Sequence, residues 1–553
     1  MNIINLIMKS FALEAARFEL KTKNPAKAQE TVLFNILRKN KDTAFGKKYN
    51  FSSIKSIKDF QQKVPVNTYE TLLPFIRRML RKEKNILIKD KPLYFGITSG
   101  TTNRPKFIPV TEYSSKKRAK VMNIWLYYAN ADHPDMFNGK VLAIVNSATE
   151  GYTASGMPYG SESGHAYKNL PWIIRSKYIL PYEVFCIENY DARYYTILRL
   201  GLEHDVTTIA TMNPLTILIL FQKIERHAKD IIKDINDGTL KESFYITEDI
   251  REKIEKTLKP NPARAKELEG MLAQSGALMP KDFWPNLALI DCWKGGTVGI
   301  FIDELLKYFP AKTKVRDFGY LSTEARCSIP RWDEGHAGIL TIDSNFYEFV
   351  IEEDIKKEKQ QYLTVSELEK DKQYCIYLTT PSGLYRYNIA DIIRVVGLYN
   401  KTPLIEFIQK AQNVSSVTGE KLYESHVIDA MNKARETTGL DMEFFCCCLE
   451  RKIPPHYSFL IEFIGEPTHS QKKGFLMSME DNLSRVNIEY KLKRLSQRLD
   501  CPKLVVLEKG SFEKFHKSKL QFSRHDGQFK YSLLKADFKT PEEFTIKEII
   551  QYK

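Results

Sequence analysis

At 553 residues the chain is too long for one hydrophobic core, and two or more domains are expected. Hydrophobic content of 43% with 27% charged residues belongs to a soluble globular protein and excludes a disordered or fibrous chain. The net charge of +15 raises nucleic acid as a partner, but the lysines are spread along the chain without a basic block or a nucleic-acid signature, so none is expected. A surface of this kind suits anionic small molecules.

The opening residues, 5–40, show helical spacing (Ile7, Phe11, Ala15, Phe18, then Val32, Leu33, Ile36, Leu37). Residues 43–49 read as a turn, Ser56 as the N-cap of a helix that Pro65 stops, and Tyr69 to Arg81 as the next helix before a strand at Leu93. Ser114 to Ala131 reads as helix and Val141 to Asn146 as strand. Glu150 to Asn169, rich in Gly, Ser and Tyr without periodicity, reads as a loop able to line a pocket. Strand and helix then alternate (Tyr194 to Leu202, Val206 to Met212, Pro214 to Arg226), which argues for a layered α/β domain. Glu248 to Leu278 reads as a charged helical insert. Leu287 to Trp293 and Lys314 to Tyr320 read as strands, and Gly338 to Phe349 with Gln373 to Thr380 as an antiparallel sheet.

Composition changes near 407–413. Beyond it come helix (Glu424 to Thr438), strands (Met442 to Glu450, His456 to Ile464), helix (Asn482 to Leu499) and strand (Lys503 to Leu507), a compact α+β module. The expected division is 1–408 and 409–553. Cysteine offers no framework: Cys446, Cys447 and Cys448 are adjacent and no C-x-x-C pair occurs, so free thiols in a reducing compartment are expected. No paired-histidine metal spacing occurs either. Residues 1–30 carry charges throughout, so neither a signal peptide nor a membrane span is expected, and the location implied is cytoplasmic.

One stretch organises the rest. Phe95-Gly-Ile-Thr-Ser-Gly-Thr-Thr-Asn-Arg-Pro-Lys-Phe-Ile-Pro109 has apolar flanks, which reads as strand, polar turn, strand. Its hydroxyls (Thr98, Ser99, Thr101, Thr102), Gly100 and Lys106 suit a phosphate, through backbone N–H groups, hydroxyl donors and one cation. It is not a Walker A loop, because Phe107-Ile108-Pro109 follows the lysine and no helix opens there. An ordinary Ser/Thr-rich hairpin turn is the alternative.

Two further segments bear on chemistry. In Tyr320-Leu-Ser-Thr-Glu324, Tyr320 offers a ring for adenine, Ser322 and Thr323 offer hydroxyls, and Glu324 offers a hard oxygen for Mg²⁺ held with ATP phosphates. The alternative for Glu324 is an ordinary surface acid. In Tyr385-Arg-Tyr-Asn-Ile-Ala-Asp391, Asp391 suits ribose hydroxyls, or alternatively a salt bridge with Arg394.

The phosphate stretch resembles the loop of adenylate-forming enzymes, [ST]-S-G-[ST]-T-G-x-P-K, with Asn103 in place of the last glycine. With the other two segments in order, the chain from about residue 35 onward resembles the acyl-acid amido synthetases, which join jasmonate or indole-acetate to amino acids in plants. The resemblance implies a large N-terminal domain of mixed sheets flanked by helices and a small mobile α+β C-terminal domain. It assigns nucleotide contacts to Thr98, Ser99, Gly100, Thr101, Thr102, Lys106, Tyr320, Ser322, Thr323, Arg386 and Asp391, and Mg²⁺ to Glu324. Ala390 stands where the family pattern has glycine. Lys421 matches a nucleotide-contacting lysine, and Lys530, in Asp526-Gly-Gln-Phe-Lys530, resembles a mobile lysine that stabilises charge on the reacting carboxylate and α-phosphate; a solvated surface Lys530 is the alternative. The implied activity uses ATP and Mg²⁺ to form an acyl-adenylate from a small carboxylic acid and passes the acyl group to an amine, in a monomer. The competitors are an acyl-coenzyme A ligase and a nucleotide binder that has lost catalysis. The acyl pocket is unassigned, with Trp125 and Tyr128 as lining or core.

Overall fold

The computed structural model describes residues 3–552 apart from 99–105, 296–298, 300–301, 356, 412–413, 416–419, 421, 451–454, 496–498, 523–531 and 536–543. The chain divides into two compact units, residues 1–389 with 393–407, and residues 390–392 with 408–553. The fold is mixed α/β, with several sheets flanked by helices.

In the large unit two helices, Ile3–Thr22 and Pro25–Asn40, open the chain. The second starts on an Asn24 side chain that accepts the Lys27 N–H, with Pro25 at the first helical position where its missing donor costs nothing. Ser56 caps Ile57–Lys63 in a reciprocal capping box with Asp59, as the sequence implied. Residues 43–49 are not a simple turn. A short helix, Ala44–Lys48, forms because Thr43 accepts the Gly46 N–H at 3.0 Å while the Ala44 and Phe45 N–H groups donate to the Asn85 and Ile86 carbonyls.

Three sheets build this unit. One is parallel and runs Lys140–Ala143, Val206–Ala210, Leu289–Asp291, Lys314–Arg316 in sequence order, with helices such as Tyr190–Gly201 and Pro214–Asp237 between strands. Its strands are short, apolar and buried, as expected of a sheet covered on both faces. The second sheet runs Phe346–Ile351, Gln373–Thr379, Tyr387–Tyr399, Thr402–Lys410, Gly338–Leu340, Ser328–Ile329. The third carries the organising stretch: Lys106–Val110, Tyr94–Thr98, Pro158–Gly160, Gly151–Tyr152. The segment expected to be a loop, Glu150 to Asn169, therefore supplies two short strands and a helix, Glu162–Lys168. Tertiary pairing decides this, since Phe95 and Gly96 pair in parallel with Tyr159 and Gly160.

The small unit contains a five-stranded sheet in the order Leu534–Lys535, Met442–Glu450, His456–Phe463, Lys503–Leu507, Ile546–Gln551, with helices Glu424–Thr438 and His469–Val486 among its others. The helix expected over 482–499 starts much earlier. Thr468 forms a capping box with Gln471, the helix ends at Asn487, and a second helix, Ile488–Leu495, follows. All eight cysteines are thiols, six of them buried. Among the described residues no helix is long and apolar enough to cross a membrane.

Ala390 has φ of +56°. A Cβ in that left-handed region crowds the following carbonyl, at roughly 1–2 kcal/mol. Ala390→Gly removes the strain and gives part of it back as unfolded-chain entropy, so stability should rise by up to about 1 kcal/mol. Urea unfolding monitored by circular dichroism checks this; a lower midpoint refutes it.

Candidate active site

The strand Tyr94–Thr98 and the strand Lys106–Val110 form an antiparallel pair in which Tyr94 faces Val110 and Thr98 faces Lys106. Strands thus flank the stretch on both sides, and no helix opens after the lysine. Ser99, Gly100, Thr101 and Thr102 lie outside the described residues, as does the side chain of Thr98. Lys106 sits at the exit, its ammonium 5.6 Å from the centre of the Tyr69 ring, and the Tyr69 hydroxyl accepts the Phe107 N–H at 2.9 Å.

The turn 320–324 packs directly against this hairpin. Thr323 Oγ1 donates to the Ile97 carbonyl at 3.3 Å, and a Cβ on Gly96 would fall 2.6 Å from Thr323 Cγ2. Only glycine permits that approach. The turn closes on itself, since the Ser322 N–H donates to the Ala325 carbonyl at 2.8 Å and the Ala325 N–H to Ser322 Oγ at 3.2 Å. Arg118, on the helix Glu112–Asp132, donates from Nη2 to the carbonyls of Thr323 and Glu324 at 2.7 and 3.2 Å, and its other end pairs with Glu162. Glu324 is buried, 7% exposed, and no described residue donates to its carboxylate. It is not the exposed surface acid of the alternative reading. Tyr320 is buried as well, with one ring face stacked on Phe407 at 5.5 Å and 27°. Phe407 thus packs on one face of the ring to which the sequence assigns adenine.

Asp391 is buried on the strand Tyr387–Tyr399, and Arg394 pairs with Glu406 at 2.8 Å. Arg386 is buried: its Nε donates to Glu348 at 3.0 Å, its Nη2 lies 2.9 Å from the same carboxylate as an ion pair, and Nη1 donates to the carbonyls of Gln61 and Val64 at 2.7 and 2.9 Å. Burial pushes the Glu348 carboxyl up, against the pull of Arg386. Lys421 and Lys530 lie outside the described residues. Trp125 and Tyr128 are core, with Trp125 Nε1 on the Asp317 carbonyl at 2.9 Å and the Tyr128 hydroxyl on Glu19 at 3.0 Å.

Sequence reasoning missed the Arg118–Glu162 link and a ring stack of Tyr94 on His165, 3.5 Å apart at 13°. No local signal pointed to either pairing, because the partners lie on separate elements. As to a metal, no cluster of three or more His, Cys, Asp or Glu exists among the described residues. Mg²⁺ does not need one, because it is commonly held by one or two carboxylates plus substrate phosphates and waters. The unpartnered, buried Glu324 carboxylate fits that demand.

Comparison with known proteins places this fold in a family. The GH3 family N-terminal domain matches residues 14–314, its central domain 338–410 and its C-terminal domain 425–537. The chain belongs to the GH3 family. It is 25% identical over 534 residues to the indole-3-acetic acid-amido synthetase GH3.3 of Arabidopsis thaliana, spanning 91% of this chain and 88% of that one. It is 23% identical over 518 residues to the jasmonoyl-L-amino acid synthetase JAR4 of Nicotiana attenuata, spanning 90% and 89%. The solved structure of the GH3.15 acyl acid amido synthetase shares the fold, with TM-score 0.82, 20% identity and coverage of 96% and 95%.

Two outcomes follow from this geometry. Gly96→Ala should displace the 320–324 turn and cost about 1–3 kcal/mol by overpacking. Adding Thr323→Ser, which keeps the hydroxyl and deletes Cγ2, should recover at least half of the loss. A double-mutant cycle in thermal unfolding checks it, and strict additivity would show the contact to be idle.

His165 gives the second. Burial, with the charge of Lys168 added, pushes its pKa from 6.5 down to about 4. Below its ordinary value the unfolded chain takes up a proton that the folded chain refuses until about pH 4, so stability falls as pH drops through that window. His165→Phe keeps a ring on Tyr94 and removes the titration. Its urea midpoint should fall less steeply than the parent's over this range, and parallel curves would refute the assignment.

Proposed function

We propose that the chain is an ATP- and Mg²⁺-dependent ligase that activates a small carboxylic acid and joins it to an amine, an amino acid by analogy with the relatives' names. A carboxylate oxygen bonds to the α-phosphorus of ATP as the bond to pyrophosphate breaks. The amine nitrogen then attacks the acyl carbon, AMP leaves, and the amine gives up a proton. Neither step needs a protein nucleophile, since positioning and charge stabilisation supply the rate.

The contact of Thr323 with Gly96 and Ile97 is the observation that carries this reading, because it places Glu324 beside the strand that leads into the phosphate stretch. On this reading Thr98, Ser99, Gly100, Thr101, Thr102 and Lys106 hold the phosphates and Glu324 holds Mg²⁺, which neutralises charge as the phosphates part. Tyr320 stacks on adenine, Ser322 and Thr323 supply hydroxyls to the nucleotide, and Asp391 accepts from the ribose hydroxyls. Lys421 and Lys530 stabilise developing negative charge, an assignment resting on sequence. Arg386, held by Glu348, contributes to the nucleotide site. We further assign the protein to the cytoplasm, as a monomer.

ATP–pyrophosphate exchange with Mg²⁺, across aryl, indolyl, fatty and benzoic acids and without any amine, tests the reading. Exchange with one class establishes adenylation and names the acid; AMP release that then depends on coenzyme A and not on an amine makes the chain an acyl-coenzyme A ligase instead. Failure to bind ATP discards the proposal. Glu324→Gln should lower exchange by about 10²-fold or more, the worth of several kcal/mol of metal-borne stabilisation, with the melting temperature held. Unchanged exchange in that variant removes Glu324 from the metal.

A further inference from the structure

A small cavity of about 10 Å³ lies on the inner side of the 320–324 turn, walled by the helix Glu112–Asp132 and the segments 324–326 and 344–345. Its charged lining is Lys117, Arg118 and Arg326 against Glu324, an excess of two positive charges. The next layer does not remove it. Glu162 pairs with Arg118 and lies 3.9 Å from Arg326, and Asp343 takes Lys21 and Lys120 at 2.9 and 2.6 Å. These two acids are matched by two further lysines, so the excess persists. Lys117 donates to the Asp343 carbonyl at 3.3 Å, and burial pushes both Lys117 and Arg326 down from their ordinary values.

Among the described residues, two donors in the wall have no hydrogen-bond partner. Ser344 Oγ is buried, its residue 4% exposed, and has none; the buried Nε of Arg326 has none within hydrogen-bond distance. Buried donors without acceptors and buried charge without compensation both cost stability. A water molecule would satisfy the first and leave the second. A small anion seated there would answer both.

We propose that this cavity is a monatomic-anion site, filled by chloride or another halide, which accepts from Ser344 and Arg326 and offsets the excess charge behind the acidic turn. The inference stands apart from the adenylation reading, and its test reads no activity. Crystals soaked in bromide should show an anomalous peak in the cavity. In solution, replacing gluconate by chloride at constant ionic strength should raise the melting temperature in a saturable way, and Ser344→Ala should move the half-saturating chloride concentration several-fold higher while the fold persists. Identical melting in chloride and gluconate, or a cavity without anomalous signal in bromide, overturns the proposal.

Discussion

The candidate site depends on the absence of one side chain. Gly96 lets the turn 320–324 lie on the hairpin strand so closely that any Cβ would meet Thr323 at 2.6 Å. The distance in sequence is large, since the Thr323–Ile97 hydrogen bond joins residues 226 positions apart. Two segments that look independent along the chain are therefore one rigid feature. A carboxylate that must meet a ligand at a fixed place gains from such backing, because its backbone is held from both sides, by the hairpin and by Arg118.

Buried charge is the recurring material behind this arrangement. Arg386 with Glu348, Arg118 with Glu162, and Asp343 with its lysines are each largely removed from water. Pairs of this kind add little net stability, because desolvation consumes the Coulombic gain. Their effect is to make alternatives expensive: each partner, left alone, would be an uncompensated buried ion. Arg386 shows such a residue standing inside a motif. Its φ of +45° and its bonds to Glu348, Gln61 and Val64 tie three separate stretches of the large unit together.

Much of this was legible in the sequence where information is local. The hairpin was readable from its apolar flanks, the cap at Ser56 from its spacing to Asp59, and the strand Met442–Glu450 and helix Glu424–Thr438 from periodicity. What escaped depends on distant partners. The strands Gly151–Tyr152 and Pro158–Gly160 are too short to announce themselves and exist because the hairpin offers an edge. Glu348, 38 residues before Arg386, could not be matched to it by spacing. The early start at His469 is different in kind: Thr468 and Gln471 spelled a capping box that was available to be read.

Departures from a motif can be weighed by geometry. Ala390 stands where the family pattern has glycine, and such a loss is the natural support for a chain that binds nucleotide without catalysis. The backbone argues otherwise. Ala390 keeps φ of +56°, the conformation for which glycine is ordinarily chosen, at an energetic cost it could shed by relaxing into a common region. The Ala390 carbonyl accepts the Ala411 N–H at 2.8 Å, so the fold around it holds that backbone. The neighbouring Asp391 stays buried in the same strand. The substitution thus changes the residue and leaves the conformation, which is the pattern expected when the surrounding fold, and not the glycine, determines where the carboxylate stands.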